Sequence, residues 1–140
     1  MKILLPVDGS EFTKRMLEYV AAHPELFGTA HDYALFTAVV PIPARATHFL
    51  DRGTVDDYYR EQAEQVLAPV RAFAEKHGWK AHATYGVGHP PDAIVTHAKA
   101  INADLIVMGA HGHSPLGTMI LGSVTNAVLA RCRIPVLLIR

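Results

Sequence analysis

The stretch Leu105-Ile106-Val107-Met108 is the clearest strand signal in the chain, because it is continuous, apolar and rich in branched side chains. A run of this kind is expected of a strand that is buried on both faces of a sheet. It is followed by a glycine-rich segment from Gly109 to Leu121 and by a helical pattern from about Gly122-Ser123 to Arg131. This strand–loop–helix order is typical of one unit of an α/β protein.

The same alternation of short apolar runs and helical patterns extends outward over the whole chain. Further strands are predicted at Lys2 to Val7, Tyr33 to Val40, Lys80 to Tyr85 and Pro135 to Ile139. The order β-α-β-α-β-α-β-α-β predicts an α/β fold in which an open, doubly wound, five-stranded parallel sheet carries helices on both faces. This arrangement is Rossmann-like.

Three local features refine this prediction. Pro69 lies inside the helix predicted from about Val55 to His77, where it should kink or interrupt the helix. The segment Gly86-Val87-Gly88-His89 is predicted to be a loop after the third strand. The aromatic residues between His48 and Tyr59 are interpreted as core packing, with contact to a partner as the alternative.

Length and composition exclude several classes of protein. A chain of 140 residues, 50% hydrophobic and 19% charged, predicts a single globular domain over residues 1–140. The 13 basic residues balance the 13 acidic ones, so a nucleic-acid-binding protein is not expected. No apolar run approaches the roughly 18 residues that span a membrane. The single Cys132 excludes an intrachain disulfide framework, so we expect a cytoplasmic location.

The turn after the first predicted strand carries an aspartate. In an open parallel sheet, ligands bind at the carboxyl ends of strands, where the strand order reverses. Asp8 lies at such a strand end, and its carboxylate could accept from an adenine amino group or a ribose hydroxyl, or help to place Mg²⁺. The alternative is a turn residue that helps to start the first helix.

The segment after the fourth strand combines glycines with a helix start. Gly109, Gly112 and Gly122 would let the backbone approach a ligand without side-chain clash. The free N–H groups at the start of the following helix suit a phosphate. The alternative is a glycine-rich connection in which Ser123 only caps the helix. No Gly-Lys-Ser/Thr follows, so the segment is not a Walker loop.

Four pieces of the sequence together resemble one known family. They are Pro6-Val7-Asp8-Gly9-Ser10, Asp104 to Gly109, the spacing Gly109-x2-Gly112-x9-Gly122-Ser123, and Pro135 to Arg140. Along its whole length the chain is similar to the universal stress protein family. Members that keep this glycine spacing bind ATP, so the resemblance implies an ATP-binding protein in which Mg²⁺ could be bound through the phosphates.

The resemblance implies a role for each matching position. Asp8 and Val39, at the ends of the first two strands, would contact adenine. Val40 is an equally plausible alternative to Val39. Pro6 and the end of the fourth strand would line the ribose, and the glycine segment would hold the phosphates through backbone N–H groups and one hydroxyl. The candidate nucleotide contacts are Pro6, Val7, Asp8, Val39, Met108, Gly109, His111, Gly112, His113, Gly122, Ser123 and Val124.

His111 and His113 flank the second glycine, where many members of the family carry Arg or another residue. The segment from Gly109 to Ser123 contains no Lys or Arg, so these imidazoles are its only candidate cations. Contact with phosphate would make nucleotide affinity depend on pH, since an imidazole gains its charge near about pH 6.5. A metal site shared with His89 is the alternative, but two polar loop residues without a metal are favoured.

The function implied is that of an ATP-binding regulatory protein of the stress response, which changes its association with an unidentified protein partner. A slow ATPase or nucleotide-transferring enzyme on the same site is one alternative. Against it, the sequence shows no placed Lys, general base or pair of Mg²⁺ carboxylates near the glycine segment, so no catalytic residue is predicted. A nucleotide-independent, chaperone-like dimer is the second alternative.

A homodimer is also expected. Family members commonly pair their last strands across a twofold axis. The apolar run from Pro135 to Ile139 would be a sheet edge that needs such cover.

Overall fold

The computed structural model describes residues 1–111 and 121–140, in which five strands alternate with helices. The strands are β1 (Lys2–Pro6), β2 (Asp32–Val39), β3 (Lys80–Val87), β4 (Leu105–Gly109) and β5 (Val136–Ile139). The helices are α1 (Glu11–Ala22), α2 (Pro24–Phe27), α3 (Ala44–Thr47), α4 (Arg52–Lys76), α5 (Pro90–Ala100) and α6 (Ser123–Arg131).

All neighbouring strands of the sheet are parallel, in the order β3-β2-β1-β4-β5. The central strand β1 pairs on both sides, so that Leu4 lies opposite Ala34 of β2 and Ile106 of β4. The predicted five-stranded, doubly wound parallel sheet is therefore confirmed. Because the strand order reverses between β1 and β4, a crevice opens between the loops that follow these two strands.

Helices cover both faces of the sheet, because successive side chains of a strand point to opposite sides. Ile3 and Leu5 of β1 face one core, which contains residues of α1 and α4. Leu4 faces the other core, which contains residues of α5 and α6. All three side chains are fully buried, and each such burial contributes roughly 1.5–3 kcal/mol.

Helix α4 runs through Pro69 as one continuous helix, so the predicted interruption is wrong. Leu67, Val70 and Ala74 are buried in the core beneath β2 and β3 and hold the helix on both sides of the proline. Pro69 itself is exposed. The carbonyl of Gln65, which receives no N–H from the proline, lies on the same exposed side and can be hydrated by solvent. The helix ends just before Gly78, whose φ of +69° suits glycine at this position.

The third strand is longer than predicted. Gly86 and Val87 belong to β3, because they lie opposite Ala38 and Val39 of β2 in the parallel ladder. The prediction of a loop is therefore wrong for these two residues, since pairing with a neighbouring strand overrides the local turn signal of a glycine.

The aromatic residues before and within the start of α4 are only partly packed. Phe49 is 89% exposed and Tyr58 is 43% exposed, so the interpretation as core packing is wrong for these two. Tyr59 packs against the core, and its hydroxyl accepts a hydrogen bond from the backbone N–H of Ile42 at 3.0 Å. This bond ties the segment after β2 to α4.

Helix α1 crosses very close to the end of β4. A Cβ atom built on Gly109 would lie 2.9 Å from the Cβ of Phe12, 3.1 Å from its carbonyl oxygen and 3.2 Å from the carbonyl oxygen of His111. Two of these three atoms belong to the backbone and cannot rotate away. Glycine at position 109 is therefore required by the packing of the protein itself, in addition to any approach of a ligand.

Replacing Pro69 by alanine should stabilise the protein. Pro69→Ala restores the N–H donor to the carbonyl of Gln65 and removes the clash of the ring, which should raise the free energy of unfolding by about 1–3 kcal/mol. The control is Pro24→Ala at the first position of α2, where no residue donates a helical hydrogen bond and a proline therefore costs none. Urea unfolding measures both variants, and equal changes in the two would contradict this account of α4.

Adding a methyl group at position 109 should destabilise the fold. Gly109→Ala forces the backbone of α1 away from β4 and should lower the free energy of unfolding by about 1–3 kcal/mol. The matched control is Gly88→Ala, because a Cβ there would meet its nearest neighbour, the Cβ of Ala93, at an ordinary 3.9 Å. Denaturant titration should find the control close to wild type; an unchanged Gly109→Ala variant would refute the close approach.

Candidate functional site

A cleft of about 590 Å³ opens at the carboxyl ends of β1, β2 and β4. A cavity of this size falls within the range of small-molecule sites. The predicted site residues that line it are Pro6, Val7, Asp8, Val39, Met108, Gly109, His111, Gly122, Ser123 and Val124. The fold thus brings together the ten predicted residues that it describes, whereas Gly112 and His113 lie outside the described residues.

One wall of the cleft was not predicted. Tyr58, Gln62 and Val66 line it from α4, one helical turn apart, and are called here the α4 stripe. Their spacing of four residues indicates a shared helix face. Nothing in the local sequence indicates which part of the molecule that face meets, so the tertiary structure was needed to find this wall.

Asp8 takes part in the turn that begins α1. Its Oδ1 atom accepts hydrogen bonds from the backbone N–H of Ser10 at 2.9 Å and from the hydroxyl of Thr13 at 2.8 Å. The hydroxyl of Thr13 in turn accepts from the backbone N–H of Asp8 at 3.0 Å. The turn interpretation of Asp8 is therefore confirmed. The half-buried carboxylate also lines the cleft, so a contact with ligand stays a prediction.

The beginning of α6 forms the end of the cleft that lies opposite the α4 stripe. Gly122 is the cap residue and Ser123 is the first helical residue, so the alternative in which the Ser123 side chain caps the helix is wrong. The N–H of Gly122 donates to the carbonyl of Ala110 at 2.9 Å and is thus already used within the protein. The following N–H groups, at Ser123, Val124 and Thr125, have no acceptor inside the helix.

Two side-chain hydrogen bonds fix the first turn of α6. The hydroxyl of buried Thr125 donates to the carbonyl of Gly109 at 3.2 Å. The side-chain amide of Asn126 donates to the carbonyl of Leu121 at 3.2 Å. The Thr125 bond holds the first turn of α6 beside the end of β4. The N–H groups of that turn and the positive end of the helix dipole therefore lie at the cleft.

The cleft carries little formal charge. Its described lining contains one carboxylate, Asp8, one imidazole, His111, and no Lys or Arg. The ring of His111 packs on the ring of Phe12 with centroids 5.2 Å apart, and the guanidinium of Arg15 lies 5.5 Å from the centroid of the same Phe12 ring. Arg15 lies outside the glycine segment and was not among the predicted cations, because its contact joins α1 to the end of β4.

Neither a metal centre nor a membrane helix is found in the part of the chain that the structure describes. Within residues 1–111 and 121–140, no group of three or more His, Cys, Asp or Glu side chains could hold a metal ion. His89 instead lies 3.2 Å from Asp92, which also pairs with Arg131. No helix in the same ranges is long and apolar enough to cross a membrane.

Solved structures with the same fold include two at more than 25% identity. The protein MJ0577 of Methanocaldococcus jannaschii is 28% identical, with a TM-score of 0.76 over 99% of this chain and 94% of that one. A universal stress protein of Archaeoglobus fulgidus is 27% identical, with a TM-score of 0.75 over 100% of this chain and 98% of that one.

Three further structures contain a nucleotide. A complex of the universal stress protein from Archaeoglobus fulgidus with dAMP is 24% identical, with a TM-score of 0.67 over 100% of this chain and 98% of that one. An Arabidopsis thaliana family protein with AMP bound is 18% identical, with a TM-score of 0.69 over 99% and 90%. A universal stress protein in complex with cAMP is 23% identical, with a TM-score of 0.65 over 100% and 96%. At these identities the likeness shows a shared fold.

Curated relatives and the family model agree with this fold. The universal stress protein MJ0531 of Methanocaldococcus jannaschii is 31% identical and aligns with 99% of this chain and 81% of its own length. A universal stress protein of Thermus aquaticus is 32% identical over 99% and 97% of the two lengths. The model of the universal stress protein family matches residues 1–140. The chain therefore belongs to the universal stress protein family.

Proposed function

We propose that this protein binds an adenine nucleotide in the cleft and acts as a regulatory protein of the stress response, whose nucleotide state alters its binding to a protein partner. The observation that carries the proposal is the convergence of ten predicted contacts, from three strand ends and the start of α6, on one cleft. Three family members with the same fold bind dAMP, AMP or cAMP, which supports an adenine nucleotide as the ligand class.

The orientation of the nucleotide follows from the two ends of the cleft. The first turn of α6 offers free N–H groups and the positive end of the helix dipole, which favour phosphate. The opposite end is lined by Val39 of β2 and by the α4 stripe, which offer apolar and aromatic surface to a base. The phosphates would then lie at α6, with the hydroxyl of Ser123 beside them, and the base would lie between β2 and α4.

ATP is the nucleotide that the glycine spacing favours, and Mg²⁺ would accompany it. The segment from Gly109 to Ser123 has no Lys or Arg, and the described lining of the cleft has none either. A triphosphate bound there needs a counterion, and Mg²⁺ held mainly by phosphate oxygens is a usual solution. Calorimetric titration with ATP, ADP and AMP, each with and without Mg²⁺, tests this step, because only nucleotides with several phosphates should gain affinity from the metal.

A bulky side chain at the start of α6 should abolish nucleotide binding. Gly122 has φ −60° and ψ 154°, a conformation that valine adopts readily, so Gly122→Val should fold. Its side chain would stand in the path of the phosphates. Loss of one charge-assisted contact of roughly 1.5–3 kcal/mol weakens binding about tenfold to a hundredfold, and several contacts are at stake here.

The control for this experiment is Ala130→Val, an exposed position near the end of α6. Circular dichroism confirms that both variants are folded before ATP is titrated by calorimetry. A folded Gly122→Val protein that binds ATP as tightly as wild type would show that the phosphates are bound elsewhere.

We also propose a homodimer through β5, which is an edge strand of the sheet. The carbonyls of Pro135 and Ile139 accept hydrogen bonds from Ile106 of β4 and from Ala110 just after it. The alternation of the ladder therefore turns the N–H groups of Val136 and Leu138 to the outer edge. Three of the four apolar side chains of β5 are only half-buried. An apolar edge with outward-pointing N–H groups is suited to pairing with a second copy.

Removing one outward N–H should break the dimer without breaking the sheet. Val136→Pro deletes a donor on the free edge and leaves the ladder with β4 intact, so sedimentation should find a folded monomer. The matched control is Val87→Pro on the opposite edge, where the N–H of Gly88 donates to β2 and that of Val87 points outward. A dimer of unchanged mass in Val136→Pro, or a monomer in both variants, would argue against pairing through β5.

A further inference from the structure

The α4 stripe is a part of the cleft that the family resemblance does not account for. Tyr58, Gln62 and Val66 lie on successive turns of α4, between core residues that fix the rotation of the helix, since Ala63 and Leu67 are buried. Val66 packs close to Gly9, because a Cβ atom built on Gly9 would lie 3.7 Å from the Cγ2 atom of Val66. The stripe therefore starts at the turn after β1 and extends to the mouth of the cleft at the half-exposed Tyr58.

The side chain of Gln62 is half-buried, and its carboxamide makes no hydrogen bond to any residue that the structure describes. Two ion pairs of α4 lie on its outer surface: Arg71 donates to both carboxylate oxygens of Glu64, at 3.1 and 3.0 Å, and Arg60 pairs with Asp57. A carboxamide offers one acceptor and two donors. Gln62 thus presents unused hydrogen-bonding capacity to the cleft.

The position of α4 places this capacity at the base end of the cleft. Helix α4 packs on β2 and β3, on one face of the sheet. Helix α6 belongs to the core on the other face, with β4 and β5. The α4 stripe and the N–H groups of α6 therefore lie diagonally across the crevice. A nucleotide with its phosphates at α6 presents its base to α4.

We propose that Gln62 recognises the base, with its Oε1 atom accepting a hydrogen bond from the 6-amino group of adenine, while the ring of Tyr58 covers the outer face of the base. This inference rests on the proposed function. Glutamine is a usual partner of adenine, because its oxygen accepts from the amino group while its amide donates to a ring nitrogen. The Oδ1 atom of Asp8, the carboxylate of the lining, already accepts two hydrogen bonds within the α1 turn.

The test compares two ligands that differ only in the amino group, AMP and purine riboside 5′-monophosphate. Wild type should prefer AMP, and Gln62→Leu should reduce that preference about three- to tenfold, the value of one neutral hydrogen bond. The matched control is Gln65→Leu, one turn away on the exposed side of α4, which should keep the wild-type preference.

A third variant separates the role of Tyr58 from that of Gln62. Stacking does not depend on the amino group, so Tyr58→Leu should weaken both nucleotides by a similar factor, about fivefold or more, and leave their ratio unchanged. If Gln62→Leu does not fold by circular dichroism, Gln62→Met, which is closer in shape, replaces it.

The outcomes separate this inference from the proposed function. If wild type binds AMP and Gln62→Leu keeps the wild-type preference for AMP, the assignment of Gln62 is wrong and the proposed function stands. If folded wild type binds neither nucleotide, the proposed function fails, and the role of Gln62 fails with it. A reduced preference in Gln62→Leu together with an unchanged one in Gln65→Leu supports both.

Discussion

The burial of β1 on both faces is the constraint from which the rest of the structure follows. Because Ile3 and Leu5 point to one side and Leu4 to the other, both faces of the sheet must be covered by helices. Parallel pairing on both of its edges requires crossover connections, which place β2 and β3 on one side and β4 and β5 on the other. The loops that leave β1 and β4 then diverge, and the cleft is the space between them.

The walls of this cleft are held by contacts within the protein. Asp8 and Thr13 bind each other through two hydrogen bonds, Thr125 binds the carbonyl of Gly109, and Phe12 packs against the same glycine. A ligand would therefore meet groups that are already positioned, which lowers the entropy lost on binding. The same contacts explain why residues with a predicted role in binding also have a structural role. A substitution at these positions changes stability and binding together.

Charge distinguishes this cleft from many phosphate sites. Without Lys or Arg in its described lining, attraction of an anion depends on backbone N–H groups, on the dipole of α6 and on ions from solution. His111 lies on Phe12, and the guanidinium of Arg15 lies near the same ring. Phe12 thus lies between a lining residue, His111, and a permanent cation, Arg15, which is not itself among the lining residues.

Local patterns in the chain predict the order of the elements, the parallel sheet and the strand ends that meet at the cleft, because periodicity and short glycine motifs act over a few neighbouring residues. Other features depend on contacts between residues far apart in the chain and follow from the packing of the elements. Burial of Leu67 and Val70 against the sheet keeps α4 intact through Pro69. The rotation of α4 on β2 and β3 turns Gln62 into the cleft. The local motif would assign the N–H of Gly122 to a phosphate, but this group donates to the carbonyl of Ala110. Burial and hydrogen-bond pairing are settled between elements, whereas a local pattern shows which faces a helix has but not which element each face contacts.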